Sequence, residues 1–496
     1  MGSPGALELI GAVLDADSWL CWDEPLTDVP PDTGYADALA QARARTGLDE
    51  AVVTGEGRIH GRRVAVVACE FGFLAGSIGV KAAERLVRAV ERATDERLPL
   101  LASPTSGGTR MQEGAVAFLQ MVKISAAFGR HKAAGNPYLV YLRNPTTGGV
   151  LASWGSLGHV TVAEPGALIG FLGPRVYAAL YGEEFPSGVQ TAENLYEHGL
   201  VDAVVPPDQI AELCDRALNV LAAPREGSPD VAVVPLEELA DVPAWESITR
   251  SRNPERPGVR QLLRHAAHDV VPLHGTGAGE SEPGLILALA RFGGAPCVVL
   301  GQDRKRQTAG RPLGPAGLRE ARRGMKLADE LKLPLVTVID TAGAALSKEA
   351  EEGGLAGEIA RSLADLVLLD APTVCLLLGE GAGGGALALL PADRVICAQH
   401  AWLSPLPPEG ASAILHRTTE RAPELAAAQG VRSLDLLRAG IVDRVVGEHP
   451  DAADEPAAYL DRVAQVLEFE LTGLLRRDPR TRLAARLSRY RTIGNA

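Results

Sequence analysis

Leu98-Pro99-Leu100-Leu101 runs into Thr105-Ser106-Gly107-Gly108, and in the second half of the chain Leu333-Pro334-Leu335-Val336 runs into Thr341-Ala342-Gly343. Each copy carries a second glycine junction further along, Thr146-Thr147-Gly148-Gly149 in the first and Gly383-Gly384-Gly385 in the second. Each also closes alike, as Gly199-Leu200-Val201-Asp202-Ala203-Val204-Val205 and Gly440-Ile441-Val442-Asp443-Arg444-Val445-Val446. Duplication turns four glycine clusters into four positions of one architecture. A glycine pair after a strand lets backbone N–H groups approach a ligand with no side chain between, the raw material of an oxyanion hole.

Around these junctions, short apolar runs alternate with helical patterns, which predicts an α/β protein built of βα crossovers. Arg63–Ala68, Pro137–Leu142 and Cys297–Leu300 read as buried strands. Leu318, Ala321, Met325, Ala328 and Leu331 recur at three and four residues, one face of a helix ending before Pro334. Gly114 to Phe128 reads as its partner in the first copy. A chain of 496 residues exceeds one core. The expected domains are 1–225 and 246–496, joined by a linker over 226–245 that overlaps the Pro-, Gly- and acid-rich stretch from Pro224 to Val242. The basic, amphipathic segment from Arg476 to Arg491 reads as a surface or interface helix.

Composition narrows the function. A net charge of −13 argues against a nucleic-acid partner, and no apolar run is long enough for a membrane span. Six scattered cysteines without C-x-x-C read as buried free thiols of a cytoplasmic protein. His131, His159, His265, His268 and His400 show no ligand spacing, so no metal is expected. There is no G-x-S-x-G elbow and no phosphate-binding G-x-x-x-x-G-K. Gly379 to Gly384 matches G-x-G-x-x-G, but no acidic residue clearly ends a following strand, which disfavours a dinucleotide site. Backbone donors without a nucleophile or base suggest enolate stabilisation in which a substrate or cofactor brings its own base.

The strings are also familiar. Ser103 to Gly114, Phe118 to Lys123, Pro145 to Val150 and Ala163 to Phe171 resemble the β subunit of the carboxyltransferase of bacterial acetyl-CoA carboxylase. Ser251-Arg252-Asn253-Pro254-Glu255-Arg256-Pro257, Ile339 to Ala344, Gly379 to Ala388 and Pro408 to Leu415 resemble its α subunit. The resemblance spans roughly Asp17 to Val446, in β-then-α order, as in fused carboxyltransferase chains of this size.

That resemblance implies two tandem crotonase-like (ClpP/crotonase) domains with ββα superhelical units. It implies transfer of a carboxyl group from carboxybiotin to the α-carbon of acetyl-CoA or another short acyl-CoA. Gly148 and Gly149 would receive the thioester oxygen, and Gly385 and Ala386 the ureido oxygen of biotin. Gly107, Gly108, Ala342, Gly343 and Gly384 would wall the same funnel. Arg252 and Arg256, with Arg260 at the same spacing of four, would bind phosphate or adenine if they do not form a solvated helix face. Arg304, Lys305 and Arg306 divide between CoA capture and a surface loop. Glu113 and Glu380, each beside a glycine loop, are expected to hold the loop rather than transfer protons.

No biotin-attachment motif appears, so carrier and biotin carboxylase are expected to be other chains. A homodimer or higher oligomer follows, because the N-half of one protomer would face the C-half of its neighbour. The family's four-cysteine zinc ribbon is missing, and Ala342-Gly343 stands where Pro-Gly is usual. Two other functions fit the same loops: a biotin-independent decarboxylase of malonyl-CoA or malonyl-carrier protein, and a non-catalytic scaffold of a carboxylase complex.

Overall fold

Strand pairing repeats as faithfully as the sequence does. A computed structural model describes residues 4–26, 33–225, 231–307 and 312–494. The chain clusters into two compact units, Met1–Leu218 with Gly277–Gly279, and Asn219–Thr276 with Glu280–Ala496. The first unit holds β1 (Leu20–Cys21), β2 (Val52–Ile59), β3 (Arg62–Cys69), β4 (Leu100–Ser103), β5 (Tyr138–Leu142), β6 (Thr146–Thr147), β7 (Val160–Ala163), β8 (Ile169–Gly170) and β9 (Ala203–Val204). Its main sheet runs β1-β2-β3-β4-β5-β7-β9, and β6 and β8 form a small parallel pair.

The second unit holds β10 (His268–Leu273), β11 (Leu285–Phe292), β12 (Ala295–Gln302), β13 (Leu335–Thr341), β14 (Thr373–Ala382), β15 (Arg394–Ala398), β16 (Trp402–Ser404) and β17 (Arg444–Val446). Its order, β10-β11-β12-β13-β14-β15-β17, copies the first, with β16 beside the end of β14. In both units an antiparallel hairpin (β2-β3, β11-β12) leads into parallel pairing.

The residues explain this arrangement. Parallel strands covered on both faces need continuous apolar runs, and every residue of β5 and β12 is buried. In the helix Pro315–Leu331 the expected face of Leu318, Ala321, Met325, Ala328 and Leu331 is buried. The helix Gly114–Ala133 follows the first glycine loop and buries Ile124 and Phe128, with Phe128 stacked on Trp154 at 5.6 Å. Each such aromatic contributes roughly 2–3 kcal/mol by leaving water.

Backbone conformation repeats too. Arg97 and Lys332, Gly108 and Gly343, and Gly148 and Gly383 are three pairs with positive φ, all related by the same offset between the copies. The helices Val80–Asp95 and Pro315–Leu331 both start from a glycine, Gly79 or Gly314, with φ −97°.

Several expectations need correction. Arg252, Arg256 and Arg260 do not share a helix. One helix ends at Ser251 and the next starts at Val259, because Pro254 and Pro257 cannot continue either. Five cysteines are buried, but Cys21 is exposed. The basic segment does form a helix, Pro479–Thr492, yet Arg482 and Arg486 on it are buried rather than displayed. Of the expected linker, 226–230 lie outside the described residues, 231–243 carry no regular structure, and a helix starts at Ala244. Among the described residues no helix is long and apolar enough to cross a membrane.

Candidate active site

Both copies shape the loop after the central strand with the same device. In the first, the Ser106 hydroxyl accepts the N–H of Gly108 (2.9 Å). In the second, Thr341 Oγ1 accepts the N–H of Gly343 (3.2 Å). Such short side-chain turns fix a loop locally and need the positive φ that Gly108 (+112°) and Gly343 (+133°) supply. The N–H of Gly107 goes to the Ala75 carbonyl (2.8 Å). The N–H groups of Gly107, Gly108 and Gly343 are therefore all taken within the protein. Ser106 and Thr341 were passed over at the sequence level, where their identical register in the two copies was the available signal.

The second loops differ. Gly148, at φ +64°, gives its N–H to the Phe171 carbonyl (3.0 Å). Gly149 and Val150 follow it into a π-helical turn, Leu151–Gly155, and their N–H groups have no acceptor among the described residues. The open pair is thus one residue further along than expected. A Cβ on Gly148 would sit 3.3 Å from the Gly108 Cα, so the two loops of this copy touch through glycine. In the second copy Gly383, at φ +65°, starts the short helix Gly383–Leu387. Gly384 and Gly385 lie in its first turn, whose N–H groups have no intrahelical acceptor. Ala386 is the first residue that the carbonyl of Ala382 can serve. A Cβ on Gly385 would stand 3.3 Å from Ala344 N, so Ala342-Gly343-Ala344 packs against this turn.

A buried ionic layer underlies the second copy's loops. Asp340 Oδ1 accepts the N–H of Glu380 (3.1 Å), and Arg304 lies 3.6 Å from both carboxylates. Burial pushes the Asp340 carboxyl up to about 6, against the pull of Arg304. Arg304 also donates to the Ser251 carbonyl (2.7 Å), which turns it inward rather than toward solvent. Arg252 bridges Glu380 (3.0 Å) and Glu409 (3.1 Å) with its side chain 31% exposed, at the rim of this layer. Arg256 is 3% exposed and spent on Glu448 and Asp451, so the structure gives it an internal role and no ligand-facing surface. Glu113 accepts the N–H of Val80 and the Tyr35 hydroxyl, tying the first copy's loops to the helix Val80–Asp95. No group of three potential metal ligands occurs among the described residues.

Residues 16–483 match the carboxyl transferase domain model. The chain belongs to that family. A Mycobacterium tuberculosis protein named probable biotin-dependent acyl-coenzyme A carboxylase beta3 subunit is 64% identical over 487 residues, covering 98% of each chain. A Parafrankia protein named acetyl-coenzyme A carboxylase carboxyl transferase subunits beta/alpha is 39% identical over 527 residues, covering 99% of this chain and 86% of its own. Among solved structures, the hexameric transcarboxylase 12S core with methylmalonyl-coenzyme A shares the fold, with TM-score 0.70 at 22% identity over 93% of this chain and 89% of that one. This carboxyltransferase is therefore an enzyme of the biotin-dependent acyl-CoA carboxylases.

Proposed function

We propose that the chain carries both halves of the transfer, with a β-like crotonase domain (1–225) for acyl-CoA and an α-like crotonase domain (246–496) for biotin. The Gly149 and Val150 N–H groups would hold the thioester oxygen while the α-carbon of acetyl-CoA, or another short acyl-CoA, becomes nucleophilic. Gly148 and Gly108 keep that approach clear, since any larger residue at 148 meets the neighbouring loop. Gly384 and Gly385 would hold the ureido oxygen, walled by Ala342, Gly343, Ala344 and Ala386. What supports this is that Gly384 and Gly385 lie in a first helical turn, whose N–H groups have no intrahelical acceptor. Carboxybiotin on a separate carrier protein supplies the carboxyl group and, through its ureido nitrogen, the base. Arg252, on the rim, is the remaining candidate for a phosphate or adenine contact.

The observation that carries this reading is the pair of equivalent turns, one per copy, with open N–H donors and glycine walls. Each unit also exposes large apolar side chains near its loops in sequence: Met111, Phe118, Leu119 and Val122 in the first, Leu346, Ile414 and Leu415 in the second. Clusters of exposed apolar side chains mark interaction surfaces. They support a homodimer or larger assembly in which different protomers bring the two kinds of loop together.

The test incubates the purified chain with malonyl-CoA, with and without biotin, and with acetyl-CoA and carboxybiotin, following both acyl-CoA species. Biotin-dependent interconversion is expected. Loss of malonyl-CoA without biotin would replace this reading with a decarboxylase, and no turnover in either direction with a scaffold.

A further inference from the structure

The second copy holds a clamp that the first lacks. Gln302, at the end of β12, is fully buried. Its Nε2 donates to the Gly385 carbonyl (2.7 Å), and its Oε1 accepts the N–H of Asp340 (3.2 Å). One amide thus spans from the end of β13, which leads into Thr341-Ala342-Gly343, to the turn that carries Gly384 and Gly385. Only this orientation of the amide satisfies both neighbours; reversed, it would set oxygen against oxygen and N–H against N–H.

Comparison within the chain isolates the feature. Strand register gives the first copy's counterpart: Gly301 pairs with Val338 as Ala68 pairs with Ser103, so the residue in the place of Gln302 is Cys69, a buried thiol at the end of β3. There the loops are tied instead by Thr105, whose hydroxyl donates to the Asn144 and Pro145 carbonyls at 3.2 and 3.1 Å. The duplicated fold therefore does not itself require a glutamine on this strand. Holding a short, glycine-started helix does. Three consecutive glycines have the widest conformational freedom of any tripeptide, and donors that wander lose the preorganisation on which their effect depends.

We propose that Gln302 is a positioning residue for the biotin-side donors, fixing the Gly383–Leu387 turn against Asp340 so that the Gly384 and Gly385 N–H groups stay aimed. This rests on the reading of the second copy as the biotin half. Glu380, Arg304 and Arg252 form the layer beneath, and Gln302 is the side chain that joins it to the turn's own carbonyl.

Gln302→Met keeps side-chain length and fills the volume but can neither donate to Gly385 nor accept from Asp340. Gln302→Glu keeps the acceptor for Asp340 and loses the donor while ionised. Gln302→His retains one ring nitrogen to donate and one to accept. The expected result for Gln302→Met is a drop in kcat/KM for biotin on the order of tenfold to a hundredfold, with KM for acyl-CoA within about twofold. Free-biotin affinity by calorimetry should weaken in parallel, and hydrogen exchange at Gly383–Leu387 should quicken, neither of which needs turnover. Gln302→His should recover part of the loss, and Gln302→Glu should fall between wild type and the methionine variant.

If acyl-CoA and biotin parameters fall together, or neither moves in a folded Gln302→Met protein, the assignment is overturned. Should Gln302→Met not fold, the same comparison is made on Gln302→Glu. A wild-type chain with no biotin-dependent transfer would overturn the functional reading and this assignment with it, an outcome visible before any variant is made.

Discussion

Gly148 and Gly385 look interchangeable in the sequence, and the structure separates them. Gly148 combines φ +64° with a neighbouring Cα at 3.3 Å from any Cβ, so Gly148→Val strains the backbone and pushes the two loops apart. Turnover should fall by about 10²–10³-fold and acyl-CoA affinity with it, measured by steady-state assay and calorimetry. Gly385 has no positive φ, so Gly385→Val should leave acyl-CoA binding intact while removing biotin-dependent transfer. Full activity in Gly385→Val beside a dead Gly148→Val would indicate biotin-free decarboxylation. His131 offers a test of stability instead. It is completely buried between the Thr94 hydroxyl and the Pro137 carbonyl, and burial lowers its pKa to about 4, with His159 adding to the effect. The unfolded chain takes this proton near pH 6.5 and the folded chain only near 4. Its contribution is therefore complete above 6.5 and lost as pH falls toward 4. Between pH 6.5 and 5 this single group should cost about 2 kcal/mol of stability, and urea titrations of His131→Asn should show that slope reduced.

At the scale of elements, the C-terminal helix Pro479–Thr492 shows how charge can mislead. Its arginines suggest a cationic surface, but Arg486 is 1% exposed and donates to both oxygens of Asp393 and to the Leu366, Leu369 and Ala371 carbonyls. The side chain pins the helix to the loop between the helix Leu355–Leu368 and β14. Arg486→Ala should cost about 3–5 kcal/mol, because it leaves Asp393 and three carbonyls poorly satisfied in the interior. Hydrogen exchange over 479–492 should rise while exchange in β4 and β5 stays unchanged. Strands and helices were legible from the sequence because apolar periodicity controls them: β5, β12 and the Pro315–Leu331 helix lie where the pattern put them. The three arginines from 252 to 260 do not form the shared helix face that their spacing allowed, because spacing alone ignores the two prolines between helices.

For the whole molecule, the decisive quantity is the exposure of apolar side chains near the loops in sequence. Phe118 is 63% exposed and Ile414 69%, values costly for a monomer in water. Light scattering should find an assembly larger than 52.0 kDa. Phe118→Asp or Ile414→Asp should shift it toward smaller species and remove biotin-dependent transfer, while each unit keeps its secondary structure by circular dichroism. A monomer with full activity would overturn the shared-site arrangement.

The duplicated sequence by itself determined the α/β architecture, the repeat and the four glycine junctions, because strand burial and glycine's backbone freedom act through local patterns. Tertiary structure decided which N–H groups are open. Gly148 gives its own to Phe171, just beyond β8, so the open pair is Gly149 and Val150. It also decided that Arg256 faces Glu448, at the far end of the second unit's sequence, and that Gln302 grips Gly385. Hydrogen-bond partners far apart in the chain leave no periodic trace, since any residue able to donate or accept could stand at either end.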